Sequence, residues 1–547
     1  MSTFLTSLFL SAVMTFGSPV NYPISLAGNF GEPRPNHFHG GIDIRTGMAE
    51  GKPIFSVADG YVSRITIGLY GYGNAVFISH PGGRTTVYCH LKKFVPQLAA
   101  IAHKWQYQHQ TSFADVRLRP TDYPVARGQI IAVSGNSGAS HAPHLHLEFR
   151  DTRTWSLIDP LIYLKDFVTD TTQPIAHSFM AYPVDGEGLF CGSTRKQSYG
   201  FTSPNLIRQF TAWGKVGFGL WANDYMDGSF GILGIHKTTL SVDGSIVFES
   251  VVDSIPEKCN RMVNSWGDYE HYCRTHVWYM KSFIEPGNTL PIIHSHTQNQ
   301  GIIDFNEERD YVITYMISDI FGNSRKYTFT VKGRRQEFPQ SKKRDAAYTL
   351  LYNRLNSFQR PGLSLTLRPG LLPYDVNIMP KAKRKANSLS NEWSFYPKSF
   401  PLFDWAKISI KLDKAVKYPS KLYIVSHYGV DRYMGGTYAD GWVSGRIREL
   451  GARYEIAYDD EAPAITSFGS YNGKLRVAAY DKKSGLRDIK CYADGKFILF
   501  EHQDKSNMYV CKLEYSPIKR SHTMHSLKIV ATDNRNNKRT YTTQFLY

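Results

Sequence analysis

The chain has 547 residues, enough for about three to four domains at ~150 residues each. A hydrophobic content of 42%, an aromatic content of 14% and 44 glycines exclude a disordered chain or a helical bundle and favour β-rich globular units. The net charge of +17, from 64 Lys and Arg against 47 Asp and Glu, points to an anionic partner, and no apolar run of membrane-spanning length follows residue 20.

Residues 1–18 combine an apolar run, Phe4 to Val13, with a small-residue end at Gly17-Ser18, and read as a secretory signal although no Lys or Arg precedes the run. Export to the periplasm or cell envelope is therefore expected. The anionic partner of an exported chain is then a cell-envelope polymer and not nucleic acid. Six cysteines agree with an oxidising compartment. Cys259 with Cys273, and Cys491 with Cys511, are the two spacings that suggest staples, leaving Cys89 and Cys191 over. No C-x-x-C occurs, so zinc-ribbon and thioredoxin readings fail.

The first chemistry-bearing stretch is Asn36-His37-Phe38-His39-Gly40-Gly41-Ile42-Asp43-Ile44. A helix does not run through Gly40-Gly41, so a loop entering a strand is predicted, with positions 39, 41 and 43 on one side. Phe55 to Ile65 alternates around Asp59-Gly60 and reads as a hairpin; Ala75–His80 and Thr85–His90 follow as strands across Pro81-Gly82-Gly83. Phe94, Leu98, Ile101 and Trp105 recur at helical spacing, and this helix either walls a groove or covers a sheet edge. Val125–Val133 returns as a strand.

Pro143-His144-Leu145-His146-Leu147-Glu148-Phe149, behind the turn Ser134-Gly135-Asn136-Ser137-Gly138, alternates between His and apolar residues. It reads as a strand with both imidazoles on one face, which suits a metal, or a metal ligand beside a base. His294-Ser295-His296 repeats the spacing without support nearby and reads as structural. Taken together, His39, Asp43 and His146 supply two neutral nitrogens and one anionic oxygen, the ligand count of a catalytic zinc site with its fourth position open. His90 and His144 remain for proton work. No H-E-x-x-H is present to carry a helix-borne base.

His39-x-x-x-Asp43, the isolated His90 and His144-x-His146, in that order and behind a Gly/Ser-rich turn, resemble the lysostaphin-type (LytM-like) zinc metallopeptidases. The resemblance covers about residues 21–166. It implies an antiparallel β-sheet groove, Zn2+ bound by His39, Asp43 and His146, catalytic roles for His90 and His144 beside the reacting water, and hydrolysis of peptide cross-links in peptidoglycan. Two other uses of the same residues are a zinc-binding, non-hydrolytic wall regulator and a zinc peptidase acting on proteins. His141 departs from the small or polar residue usual in that loop and is read as a groove-edge residue.

Downstream the text is strand and turn, so the whole chain is expected to be mainly β: a β-sheet metallopeptidase domain followed by immunoglobulin-like β-sandwich domains. The expected units are a β-sandwich over 169–333, a β domain over 345–458 and an immunoglobulin-like sandwich over 461–547. Thr238 to Phe248 carries an Asp243-Gly244 hairpin signal. Asp319 to Thr328 resembles Asp533 to Thr542, with Asp, Asn, Arg, Tyr and Thr at matching offsets, and each reads as a closing hairpin. Basic runs such as Lys342-Lys343-Arg344 and Lys381-Ala382-Lys383-Arg384-Lys385 fall where apolar residues are few and read as linkers or exposed loops.

Overall fold

A computed structural model describes residues 15–339 and 347–547. Most of the expected signal (residues 1–14) and the Lys342-Lys343-Arg344 run lie outside the described residues. The fold is mainly β, as expected, with several sheets beyond the N-terminal unit. Among the described residues no helix is long and apolar enough to cross a membrane.

The first unit is built on an antiparallel sheet in the spatial order Leu26–Gly28, Ile42–Arg45, His144–Asp151, Arg84–Cys89, Ala75–His80, Gly60–Ile67, Ala114–Arg117. Its strands alternate because one face is packed. Ile42, Ile44, Leu145, Leu147 and Tyr88 are fully buried, and with Val62, Ile65 and Ile78 they form one core. The opposite set on the central strand is His144, His146, Glu148 and Arg150. Within this sheet Asp43 pairs directly with His146, and His146 in turn with Cys89.

Three local expectations change. Phe55 and Ile65 do not share a hairpin: Pro53–Phe55 joins Ile130–Val133 and Lys93–Phe94 in a separate three-stranded sheet. The stretch 125–133 is two short strands, broken where Gly128 takes φ 79° and its N–H donates to the Ser56 carbonyl. The helix, Pro96–His109, forms as its spacing predicts, but it packs on strands Lys93–Phe94, Gly60–Ile67 and Ala114–Arg117 and buries Leu98, Ala102 and Gln106. It closes a sheet edge instead of walling the groove.

In the second unit the expected sandwich is one continuous ten-stranded sheet wrapped round a Phe-rich core, including Phe179, Phe210, Phe218 and Phe329. Its long strands Ile175–Phe190 and Asn205–Asn223 carry several register shifts, which let a single sheet bend enough to enclose that core. The Asp243-Gly244 turn forms with both residues at positive φ, as a two-residue hairpin requires. Two five-stranded sheets follow around a core from Leu350 to Ile456, then two four-stranded sheets around a core from Leu475 to Phe545.

The expected staples do not form, since all six cysteines are free. Cys259 is buried while Cys273 is exposed, so one thiol faces the core and the other the surface. Cys491 and Cys511 sit on strands of opposite sheets in the last unit, not on neighbours.

Gly41 marks the tightest approach between backbones in the first unit. A Cβ there would lie 2.1 Å from the Leu147 carbonyl oxygen of the central strand. Gly41→Ala is expected to push strand Ile42–Arg45 off its partner and to cost ~1–3 kcal/mol. Limited proteolysis of the full chain should then open around residues 36–45, and a wild-type cleavage pattern would contradict the close packing.

Candidate metal centre

The site grows from the pairing of two strands. Asp43 and His146 face each other across the sheet, and the loop through Gly40-Gly41 swings His39 over them. Asp43 Oδ1 lies 2.8 Å from His146 Nδ1 and 3.0 Å from His39 Nε2, and the two nitrogens are 3.0 Å apart. All three residues are buried, His39 to 2% exposure.

The other ring nitrogens fix what these atoms are. His39 Nδ1 lies 2.6 Å from the Asn29 carbonyl, which only accepts, so the ring proton sits there and Nε2 presents a lone pair. His146 Nε2 donates to Glu148 Oε1 at 3.2 Å, leaving Nδ1 bare. Arg34 holds the second oxygen of Asp43, with Nη2 donating to Oδ2 at 3.0 Å. Three lone pairs thus converge with no proton assigned between them. Donors around a tetrahedral metal with bonds of ~2.0–2.1 Å lie about 3.3 Å apart, so the set fits a divalent ion with a small outward adjustment. Each imidazole is oriented by a second hydrogen bond, as metal-binding histidines usually are.

The electrostatics agree. Burial holds His39 down at about 4 in spite of Asp43. Burial also opposes charge on His146, but its hydrogen bonds to Asp43 and Glu148 outweigh it and raise the ring to about 9. Burial works against an ionised Asp43 as well, yet the surrounding histidines hold it well below the usual carboxylate range.

Beside the donors stand the two remaining histidines. His144 Nδ1 donates to the Ala142 carbonyl at 2.8 Å, and its Nε2 is 3.3 Å from Asp43 Oδ1. His90 takes φ 58° at the end of its strand and donates from Nδ1 to the Ser137 carbonyl at 2.8 Å, so its Nε2 is also left free. Their ring centres are 4.9 Å apart. Burial, then the neighbouring His146 and His144, pushes His90 down to about 3, so it is neutral at neutral pH. All five residues singled out in the sequence line one open groove of about 660 Å3, with His141 at its edge.

The sequence reading passed over several residues that shape this groove. Glu148 and Arg150 continue the face of His144 and His146 at the same two-residue spacing, so the signal was present in the alternation. Arg150 Nε donates to Glu148 Oε2 at 2.7 Å, Tyr72 Oη donates to Glu148 Oε1 at 3.0 Å, and Arg150 Nη2 donates to Tyr72 Oη at 2.7 Å. Burial opposes its charge, but His146 and Arg150 keep Glu148 ionised, down to about 2. The far wall had no signal at all. It comes from the second unit, where Glu257 and Asn260 line the groove and Asn260 Oδ1 accepts from the Phe38 N–H at 2.7 Å.

A buried His–Asp–His donor set with two more histidines beside it, on the floor of an open β-sheet groove, is a group that could hold a metal ion. Residues 37–100 match the family model described as Peptidase family M23, so the first unit carries an M23 peptidase domain. Residues 347–459 match a Zu5-like domain. The chain is 33% identical over 111 residues to an uncharacterized metalloprotease of Haemophilus influenzae, covering 20% of this chain and 18% of that one. It is 33% identical over 112 residues to the DD-carboxypeptidase/endopeptidase Mpg of Neisseria meningitidis serogroup B, covering 20% of each. The chain thus spans about a fifth of the length of these curated relatives. The catalytic domain of the antimicrobial peptidase lysostaphin from Staphylococcus simulans is 24% identical, with 25% of this chain and 89% of that one covered and a TM-score of 0.19.

Glu148→Gln tests the support of the donor set. It keeps the size of the side chain but weakens the hold on His146, and is expected to lower zinc affinity ~10–100-fold. Competition titration with a chromophoric chelator reads the change, with circular dichroism to verify folding. Unchanged affinity would show that Glu148 orients nothing.

Proposed function

We propose that this protein is a zinc-dependent endopeptidase that hydrolyses peptide cross-links of bacterial peptidoglycan in the periplasm or cell envelope. The observation that carries it is the convergence of the His39, Asp43 and His146 lone pairs on one point of an open groove, with His90 and His144 presenting free Nε2 atoms beside it. Peptidase family M23 membership of the domain supports the reaction class, and the endopeptidase named among its relatives supports the substrate class.

His39 Nε2, Asp43 Oδ1 and His146 Nδ1 would hold the ion. Zinc bound there supplies Lewis acidity toward the scissile carbonyl and lowers the pKa of water. Arg34 occupies Asp43 Oδ2, so this carboxylate offers one oxygen to the centre. His144 Nε2, aimed at the Asp43 side of the site by the Ala142 carbonyl, takes a proton from the attacking water or returns it to the leaving amine. Neutral His90, its one ring proton held on Nδ1 by the Ser137 carbonyl, offers Nε2 as an acceptor at the same locus. The donor set lies on the wall of an open groove of about 660 Å3, so a peptide can reach it.

His146→Ala is expected to lose metal and turnover together, whereas His144→Ala keeps stoichiometric zinc and loses ~10²–10⁴ in kcat. Metal analysis of both variants is paired with mass spectrometry of peptides released from purified peptidoglycan and from a general protein substrate. Release of cross-link peptides by the zinc-loaded protein supports the proposal. Stoichiometric zinc without cleavage of either substrate overturns it in favour of a wall-binding regulator, and cleavage of protein alone reassigns the substrate.

A further inference from the structure

Two groups of three aspartates occupy the same place in two different β units. Asp170, Asp224 and Asp319 bring carboxylate oxygens within 4.8 Å of one another, and Asp459, Asp481 and Asp533 do the same. The chain builds both groups alike. Asp170 lies five residues ahead of strand Ile175–Phe190, and Asp459 five ahead of strand Ala464–Tyr471. Asp224 directly follows the strand ending at Asn223, and Asp481 the strand ending at Tyr480.

Asp319 and Asp533 open the two hairpin turns whose sequences resemble each other. Asp319 Oδ1 accepts from the N–H groups of Gly322 and Asn323, both at 2.8 Å, and its Oδ2 from Asn323 Nδ2 at 2.7 Å. Asp533 Oδ1 accepts from the N–H groups of Arg535 and Asn537, both at 2.8 Å, and its Oδ2 from Asn537 Nδ2 at 2.7 Å. Asn323 Nδ2 also donates to the Asp170 carbonyl at 3.1 Å, and Asn537 Nδ2 to the Asp459 carbonyl at 2.8 Å.

Both groups carry more negative charge than their surroundings balance. Asp224 and Asp319 are 4% exposed, and Asp459 and Asp533 are fully buried. Among the described residues, none of the six pairs with a Lys, Arg or His. Asp224 Oδ1 is buried without any hydrogen-bond donor. It is accompanied by a cavity of about 10 Å3, the size of one water or ion, lined by Asp159, Asp170, Asp224 and His236 together with Leu26 and Phe30 of the peptidase unit; burial holds the His236 ring below its usual value, so it does not supply the missing positive charge. In the second group Ser484 Oγ is likewise buried and unpartnered, while the Ser484 N–H donates to Asp459 Oδ2 at 3.1 Å. Burial first, and the neighbouring carboxylates next, push Asp224 up to about 8. Like charges so placed and desolvated are stable only when neutralised by protons or by a cation.

We propose that the two aspartate groups are equivalent calcium-type cation sites, one joining the peptidase unit to the second β unit and the other joining the third unit to the last. The shared donors are all oxygens, which selects a hard cation, and backbone carbonyls and water complete the shell that such an ion takes. The junction role follows from position. Beside the first group, Asn29 of the peptidase unit exchanges two hydrogen bonds with Gly234 at 2.8 and 2.7 Å. Beside the second, Arg535 Nη1 donates across the junction to the Leu422 and Gly436 carbonyls at 2.6 and 3.1 Å.

The test is calorimetric titration of Ca2+ into the zinc-loaded full chain, alongside Asp224→Asn and Asp481→Asn. Two equivalents are expected for the wild type and one for each variant. Melting curves guard against misfolding. In calcium-free buffer each variant should melt at or above the wild type, because one of three crowded like charges has been removed, while added Ca2+ should lift the wild type past both. No binding at ~1 mM Ca2+, two equivalents retained in both variants, or variants that stay more stable at every Ca2+ concentration would overturn the proposal.

Discussion

The register between strands Ile42–Arg45 and His144–Asp151 is the constraint on which the site depends. Side chains in a strand alternate faces, so a slip of one residue would carry Asp43 and His146 into the core and bring Ile44 and Leu147 out. Burial of Ile42, Ile44, Leu145 and Leu147 therefore fixes the position of the acid and the imidazole. The apolar face does not merely support the polar one. It decides which atoms can meet.

Around that register the protein assembles a connected polar interior. His39 is anchored by a carbonyl, His146 by a carboxylate, and that carboxylate by Arg150 and Tyr72. Each link satisfies a group that would otherwise be buried without a partner, so the network stays rigid only while all its members remain. Such a network presents lone pairs to the groove with little freedom to reorganise.

Much of this was legible in the chain. The Gly40-Gly41 break, the alternation from His144 onward and the Asp-Gly and Asp/Asn turns each reflect a local rule of backbone geometry, and those elements stand where the spacing places them. Where the reading erred, non-local packing won. Phe55 sits in a different sheet from Ile65 because its partner is Ile130, far along the chain. The helix Pro96–His109 shows an apolar spacing that says it must cover something, but not that it covers a sheet edge away from the groove. Cysteine spacing could not show that Cys491 and Cys511 lie on opposite sheets. Glu148 was readable and missed, whereas Asn260 carried no signal, since its role depends on a fold more than two hundred residues from His39.

That distant contribution changes what counts as the peptidase. Asn260 fastens the Phe38 backbone, Asn264 Oδ1 accepts from the Asn36 N–H at 3.1 Å, and Arg261 Nη2 donates to Asn36 Oδ1 at 2.8 Å. The segment leading into His39 is thus clamped from outside its own sheet. The first unit alone would lack both this clamp and one bank of its groove. Substitutions in residues 257–264 can accordingly reshape the groove without touching His39, Asp43 or His146, so the donor set and the far wall lie on separate stretches of sequence, free to diverge independently.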